Sequence, residues 1–97
     1  LMIVSFGDAA TEDLYHGRNS NRVRRFPTNV VGVALRKLDI LRAAHRLQDL
    51  RSPPGNRLEA LRGDYAGHHS IRVNDQWRIV FRWEDDSAHE VSLLDYH

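Results

Sequence analysis

The sequence has no cysteine. That excludes a disulfide framework and any thiolate metal site, and it suits a reducing compartment. Lysine is almost missing too: Lys37 stands alone, and the other thirteen basic residues are arginine. No apolar run approaches the roughly 20 residues of a membrane-spanning helix. No signal-peptide pattern opens the chain, and Leu1 ahead of Met2 reads as a start-codon remnant. The expectation is a cytoplasmic protein with no membrane attachment. Net charge is low as well, at +1. Any basic surface must therefore be local, and arginine would build it, with a planar fork suited to phosphate or carboxylate.

What is present is ordinary for one globular domain spanning 1–97. Apolar residues make up 41% of the 97 and charged residues 28%, enough for a modest core. Apolar, β-branched Met2–Phe6 reads as a strand. Gly7 and Asp8 break it, and Asp8 can cap a helix over 9–16 that Gly17 stops. The stretch 17–27 ("GRNSNRVRRFP") shows no periodicity and reads as an exposed basic loop carrying Arg22, Arg24 and Arg25. A second helix is expected over 28–50. Val31, Leu35, Leu38 and Leu41 form its apolar stripe, widened by Val30, Ala34 and Ala44. "RSPPGN" (51–56) ends it.

Period-two patterns follow. Strands are expected over 57–63, 68–73, 76–84 and 89–97, with Asn74 and Asp75 as a two-residue hairpin turn. Trp77, Ile79, Phe81 and Trp83 share one face of the third; Arg78, Val80 and Arg82 share the other. The element order is β-α-α-β-β-β-β. This is an α+β protein, with two N-terminal helices on one face of a mainly antiparallel, curved sheet. The other face stays open to solvent or a partner.

Chemistry is expected on that open face. Arg78 and Arg82 project from it two residues apart and can meet phosphate oxygens. Glu59 and Arg62 are three apart, so in an ideal strand they point to opposite faces unless a bulge or the Gly63–Asp64 turn re-aims one. His68 and His69 are adjacent, point apart and cannot easily share a metal, so no metal site and no cofactor is expected. Asp95, Tyr96 and His97 close the last strand. Parity would bury Asp95 and His97 with Val91 and Leu93, so the strand is expected to end or twist near Leu94 and free all three.

The pieces together resemble the HigB-type toxins of the RelE/ParE superfamily, the growth-inhibiting half of bacterial type II toxin–antitoxin pairs. The resemblance runs from "MIVSF" through L-x-x-L-x-G-D-x-x-G-x-x-S-I-x-V-x-x-x-W-R-I-x-F, which begins at Leu58, to the terminal "DYH". It implies a RelE-like fold and a ribosome-dependent endoribonuclease that cuts mRNA in the A site. The RNA's 2′-hydroxyl attacks the adjacent phosphate without a metal and leaves a cyclic phosphate. By the same resemblance Arg78 matches the site arginine and Asp95, Tyr96 and His97 the terminal triplet. Arg62 stands where such toxins hold a lysine, and Glu59 where they hold a histidine.

Such chemistry needs a base for the 2′-hydroxyl, cations for the phosphorane and an acid for the 5′-oxygen. Glu59 or His97 suits the base, His97 or Tyr96 the acid, and Arg62 and Arg78 the charge; Arg22, Arg24, Arg25 and Arg82 suit RNA or ribosome contact. The implied partners are the ribosome, mRNA and a HigA-type helix-turn-helix antitoxin, with operator DNA reached only through that antitoxin. Two other readings share the fold: a ParE-like gyrase poison without RNase activity, and a module that only binds its antitoxin or DNA.

Overall fold

The computed structural model describes residues 3–96. Its elements are α1 (Ala9–Tyr15), α2 (Thr28–Ala43), β1 (Glu59–Ala60), β2 (His68–Arg72), β3 (Trp77–Glu84) and β4 (Ser87–Asp95). The four strands form one antiparallel sheet in chain order. Both helices lie on the face that carries Ile71, Ile79, Phe81, Val91 and Leu93, and Leu14, Val30, Leu38 and Leu41 complete that core. Trp77 and Trp83 pack at its rim, while Arg78, Val80 and Arg82 take the opposite face. No helix among the described residues is long and apolar enough to cross a membrane.

Asp8 caps α1 as its residue type suggests: Thr11 N donates to its carboxylate at 2.7 Å. Leu93 N donates to Thr11 Oγ1 at 2.9 Å, tying α1 to β4. The expected first strand, however, is reduced to two isolated parallel bridges beside β4, Ile3 to Ala88 and Phe6 to Val91; Met2 lies outside the described residues. The cause lies in β4. Glu90 sits at φ 53°, in the left-handed region, and its N–H donates to Ser5 Oγ instead of a ladder carbonyl. Pairing survives only on either side of it.

The second helix stops at Ala43, not at residue 50. Asp49 is the reason: its carboxylate accepts from the backbone N–H groups of His45 and Arg46, both at 3.0 Å, and so starts a separate 3-10 turn over Leu47–Arg51. The buried stripe of α2 is Val30, Ala34, Leu38 and Leu41; Leu35, expected inside, is 39% exposed. Buried Asn56 secures the connector, donating to the carbonyls of Leu50 and Ser52 at 3.1 Å each and accepting from Lys37 Nζ.

Three further corrections bear on the open face. The expected strand over 57–63 shrinks to Glu59–Ala60, because Gly63 (φ 66°) begins a 3-10 turn over Gly63–Tyr65. The β2–β3 connection has four residues, 73–76, and Val73 N donates to Trp77 O at 2.9 Å. Asn74 Oδ1 accepts from the N–H of Gln76 and of Trp77, both at 2.8 Å. Finally, β4 does not end at Leu94. Asp95 pairs with Trp77, and Tyr96 N donates to Gln76 O at 2.7 Å.

Candidate active site

Arg78 sits in β3 with Arg72 of β2 and Leu94 of β4 directly opposite. Its side chain is 16% exposed, so its charge needs partners. Nη1 donates to Ser70 Oγ at 3.1 Å, and Nη2 lies 3.2 Å from Glu59 Oε1. The guanidinium carbon stands 5.8 Å from the centroid of the Tyr96 ring. Three elements thus converge on one cation. Glu59 reaches it because Glu59 pairs with Ser70 across β1–β2, and Ser70 pairs with Val80, placing all on the open face. Ser70 is fully buried and fixes one edge of the fork.

This arrangement holds a guanidinium rigidly on an open surface, beside a half-exposed carboxylate and a phenol. An anion that displaces Glu59 from Arg78 keeps the Ser70 hydrogen bond, and the released carboxylate is then free to accept a proton.

The remaining sequence-derived residues divide. Arg62 is exposed, follows the short β1, and makes no ion pair among the described residues. Asp95 does not join Tyr96: β4 continues through it, so the two side chains leave on opposite faces. Asp95 accepts from Gln76 Nε2 at 2.9 Å and lines a cavity with Asp8, Arg25, Phe26 and Trp77 on the helix side of the sheet. His97 lies outside the described residues. Arg82 does not meet Arg78. It is engaged by Glu84 at 2.7 Å and by Glu90, and these partners raise its pKa, the Glu90 hydrogen bond most strongly.

The basic loop is more ordered than its composition implies. Asp13, almost fully buried, binds Arg18 (3.2 Å), Arg22 (3.0 Å) and Ser20 (2.8 Å). Val23 and Phe26 turn inward, Phe26 packing edge-on to Trp77 at 5.7 Å. Arg22, Arg24 and Arg25 stay exposed, with Arg24 on Asn21 at 3.2 Å. Sequence reasoning passed over Ser70, whose parity with Arg78 would have exposed it had the β2–β3 register been known.

A family profile for the RelE-like toxin of type II toxin–antitoxin systems, HigB, matches residues 2–97. Toxin HigB-1 of Vibrio cholerae serotype O1 is 44% identical over 87 residues, 90% of each chain. An uncharacterized protein of Haemophilus influenzae is 39% identical over 69 residues, 71% of this chain and 68% of its own. Two solved YoeB–YefM complexes from Staphylococcus aureus, one of them a heterotetramer, each contain a chain of similar fold. The TM-scores are 0.53 and 0.54, over 100% of this chain and 99% of those, at 18% and 17% identity. At that identity the likeness is one of fold.

Proposed function

The chain belongs to the HigB family of RelE-like toxins of type II toxin–antitoxin systems, and from that premise we propose that it is a metal-independent endoribonuclease that cuts translated mRNA on the ribosome. The observation that carries this reading is Arg78, held by Ser70, Glu59 and Tyr96 on the open sheet face. In the reaction we propose, a phosphodiester displaces Glu59 and takes its place on Arg78. Glu59, now beside the ribose, removes the 2′-hydroxyl proton. The 2′-oxygen attacks phosphorus, and the growing phosphorane charge meets Arg78, with Arg62 as a second cation. A proton from Tyr96 or His97 leaves with the 5′-oxygen, and a 2′,3′-cyclic phosphate remains. Asp95, directed to the helix side, acts through the chain end and not on the phosphate.

The cognate antitoxin is its inhibitor, a helix-turn-helix protein of HigA type through which the complex reaches operator DNA. The working compartment is the cytoplasm, where ribosomes and mRNA meet it.

The test is single-turnover cleavage of ribosome-bound mRNA by purified Arg78→Ala. Loss of a preorganised donor to a transition-state charge costs on the order of 10²–10³ in rate, so cleavage should fall by that factor with the far-ultraviolet spectrum unchanged. Undiminished cleavage would remove Arg78 from the reaction. Growth arrest by the wild type with intact mRNA and with broken DNA would instead restore the gyrase reading.

A further inference from the structure

Tyr96 follows the last residue of β4, and segments this close to a chain end ordinarily fray into solvent. Yet its ring centroid lies 5.8 Å from the Arg78 guanidinium carbon, so the phenol stands over the site. The hold comes from the turn between β2 and β3. Tyr96 N donates to the Gln76 carbonyl oxygen at 2.7 Å, and Gln76 Nε2 donates to Asp95 Oδ2 at 2.9 Å. Gln76 therefore grips two consecutive residues, one through its backbone and one through its side chain. Gln76 is itself fixed. Asn74 Oδ1 accepts from its N–H and from that of Trp77, both at 2.8 Å. Val73 N and Asn74 N both donate to the Trp77 carbonyl oxygen, at 2.9 and 3.2 Å. Trp77 in turn pairs with Asp95 across the ladder and packs edge-on against Phe26 at 5.7 Å.

We infer that Gln76 is a positioning residue, which clamps the end of β4 so that Tyr96 stays over the phosphate bound at Arg78. The inference rests on the endoribonuclease reading and gives a turn residue a part in that reaction. Gln76 acts through Asp95 and Tyr96 and not on the RNA. Its amide nitrogen supplies a donor to the Asp95 carboxylate, a charge-assisted bond. Asp95 lies on the far face of the sheet from Tyr96, and its carboxylate is the handle by which the turn holds the chain end. Clamping matters because a misplacement of about 1 Å can cost a reaction on the order of 10²-fold. Without the side-chain bond the backbone bond from Tyr96 remains, so the end loosens without detaching.

The experiment measures single-turnover cleavage of ribosome-bound mRNA over a range of toxin concentrations, with amide hydrogen exchange at Tyr96 followed in the same variants. Gln76→Ala should lower the maximal rate about 3- to 10-fold and leave the half-saturating concentration within about twofold of the wild type. Exchange of the Tyr96 amide should quicken by a similar factor. Gln76→Lys keeps a donor to Asp95 and should cut within about threefold of the wild type, whereas Gln76→Glu, repelled by Asp95, should lose at least as much as Gln76→Ala. In a background of Tyr96→Ala with His97→Ala, Gln76→Ala should cost less than about twofold more, because the clamp then holds nothing that reacts. A wild-type maximal rate in Gln76→Ala, or equal rates in the Lys and Glu variants, overturns the clamp and leaves the endoribonuclease reading standing. The same loss from Gln76→Ala with and without the two terminal side chains also overturns it, since Gln76 would then serve the fold alone. No cleavage by the wild type on any message removes both the clamp's part in catalysis and the endoribonuclease reading.

Discussion

Ser70 contributes one hydroxyl to the candidate site, and its effect is separable from the charge it holds. Its Oγ accepts from Arg78, so Ser70→Ala leaves the cation present but free to swing toward Glu59. A hydrogen bond to a charged group is worth about 1.5–3 kcal/mol. We expect cleavage to fall about 10- to 150-fold, the factor to which that range corresponds, while urea unfolding loses no more than that same ~1.5–3 kcal/mol. Cleavage within twofold of the wild type would mean that Glu59 alone orients Arg78. Gly7 is the other single position with a sharp demand. A Cβ there would collide with Ser92 Oγ and lie 3.0 Å from the Glu90 carbonyl oxygen. Gly7→Ala should destabilise the fold by about 1–3 kcal/mol, and by less in a Ser92→Ala background. An equal cost in both backgrounds would place the conflict at the Glu90 carbonyl.

Two connecting segments depend on one buried polar residue each. Asn56→Ala strips partners from the carbonyls of Leu50 and Ser52 and from Lys37 Nζ. Buried groups left unpaired cost about 1–3 kcal/mol each, and water can recover part of that, so we expect a loss of about 3 kcal/mol in urea unfolding. A loss below about 1 kcal/mol would show that water replaces the amide fully. In the basic loop the pinning residue is Asp13. The Ser20 hydrogen bond, then Arg18 and Arg22, hold its carboxyl below the usual carboxylate range against the opposing effect of burial. A carboxylate with a depressed folded-state pKa stabilises the protein above its unfolded pKa, and that contribution fades as pH falls through the folded value. Stability should therefore drop on the acid side of the ordinary carboxylate range, and Asp13→Asn should flatten that acid limb. An unchanged limb in the variant would assign acid unfolding to other carboxylates.

With a net charge of only +1, attraction to the ribosome must come from where the arginines sit and not from their sum. Arg22 is already spent on Asp13, while Arg24 and Arg25 are exposed with no carboxylate partner among the described residues. Each phosphate neutralised by a cation adds to the slope of affinity against salt, by about 0.7 for single strands. Arg24→Ala with Arg25→Ala should reduce that slope of ribosome binding by about 1–2. Adding Arg22→Ala should lower stability more than it lowers the slope. An unchanged slope in the double variant would move the loop away from the ribosome and toward the antitoxin.

Periodicity carries a long way in this chain. Alternation in 77–84 assigned the core face to Ile79 and Phe81 and the open face to Arg78, because a strand buried on one side leaves a period of two that no neighbour can alter. Capping chemistry did the same for Asp8. The helix–sheet order and the family motif were legible for related reasons. What periodicity could not decide were events set by particular hydrogen-bond partners, some near in the chain and some far. Asp49 reaches back four residues to cut α2 short, and the left-handed turn at Glu90 breaks the N-terminal pairing. Tyr96 pairs with Gln76, which keeps Asp95 on the far face from Tyr96. The cluster at Arg78 is the clearest case. Glu59 and Ser70 reach it only because the β1–β2 and β2–β3 registers align three strands. Register is a property of paired backbones under a shared core, and no single strand contains it.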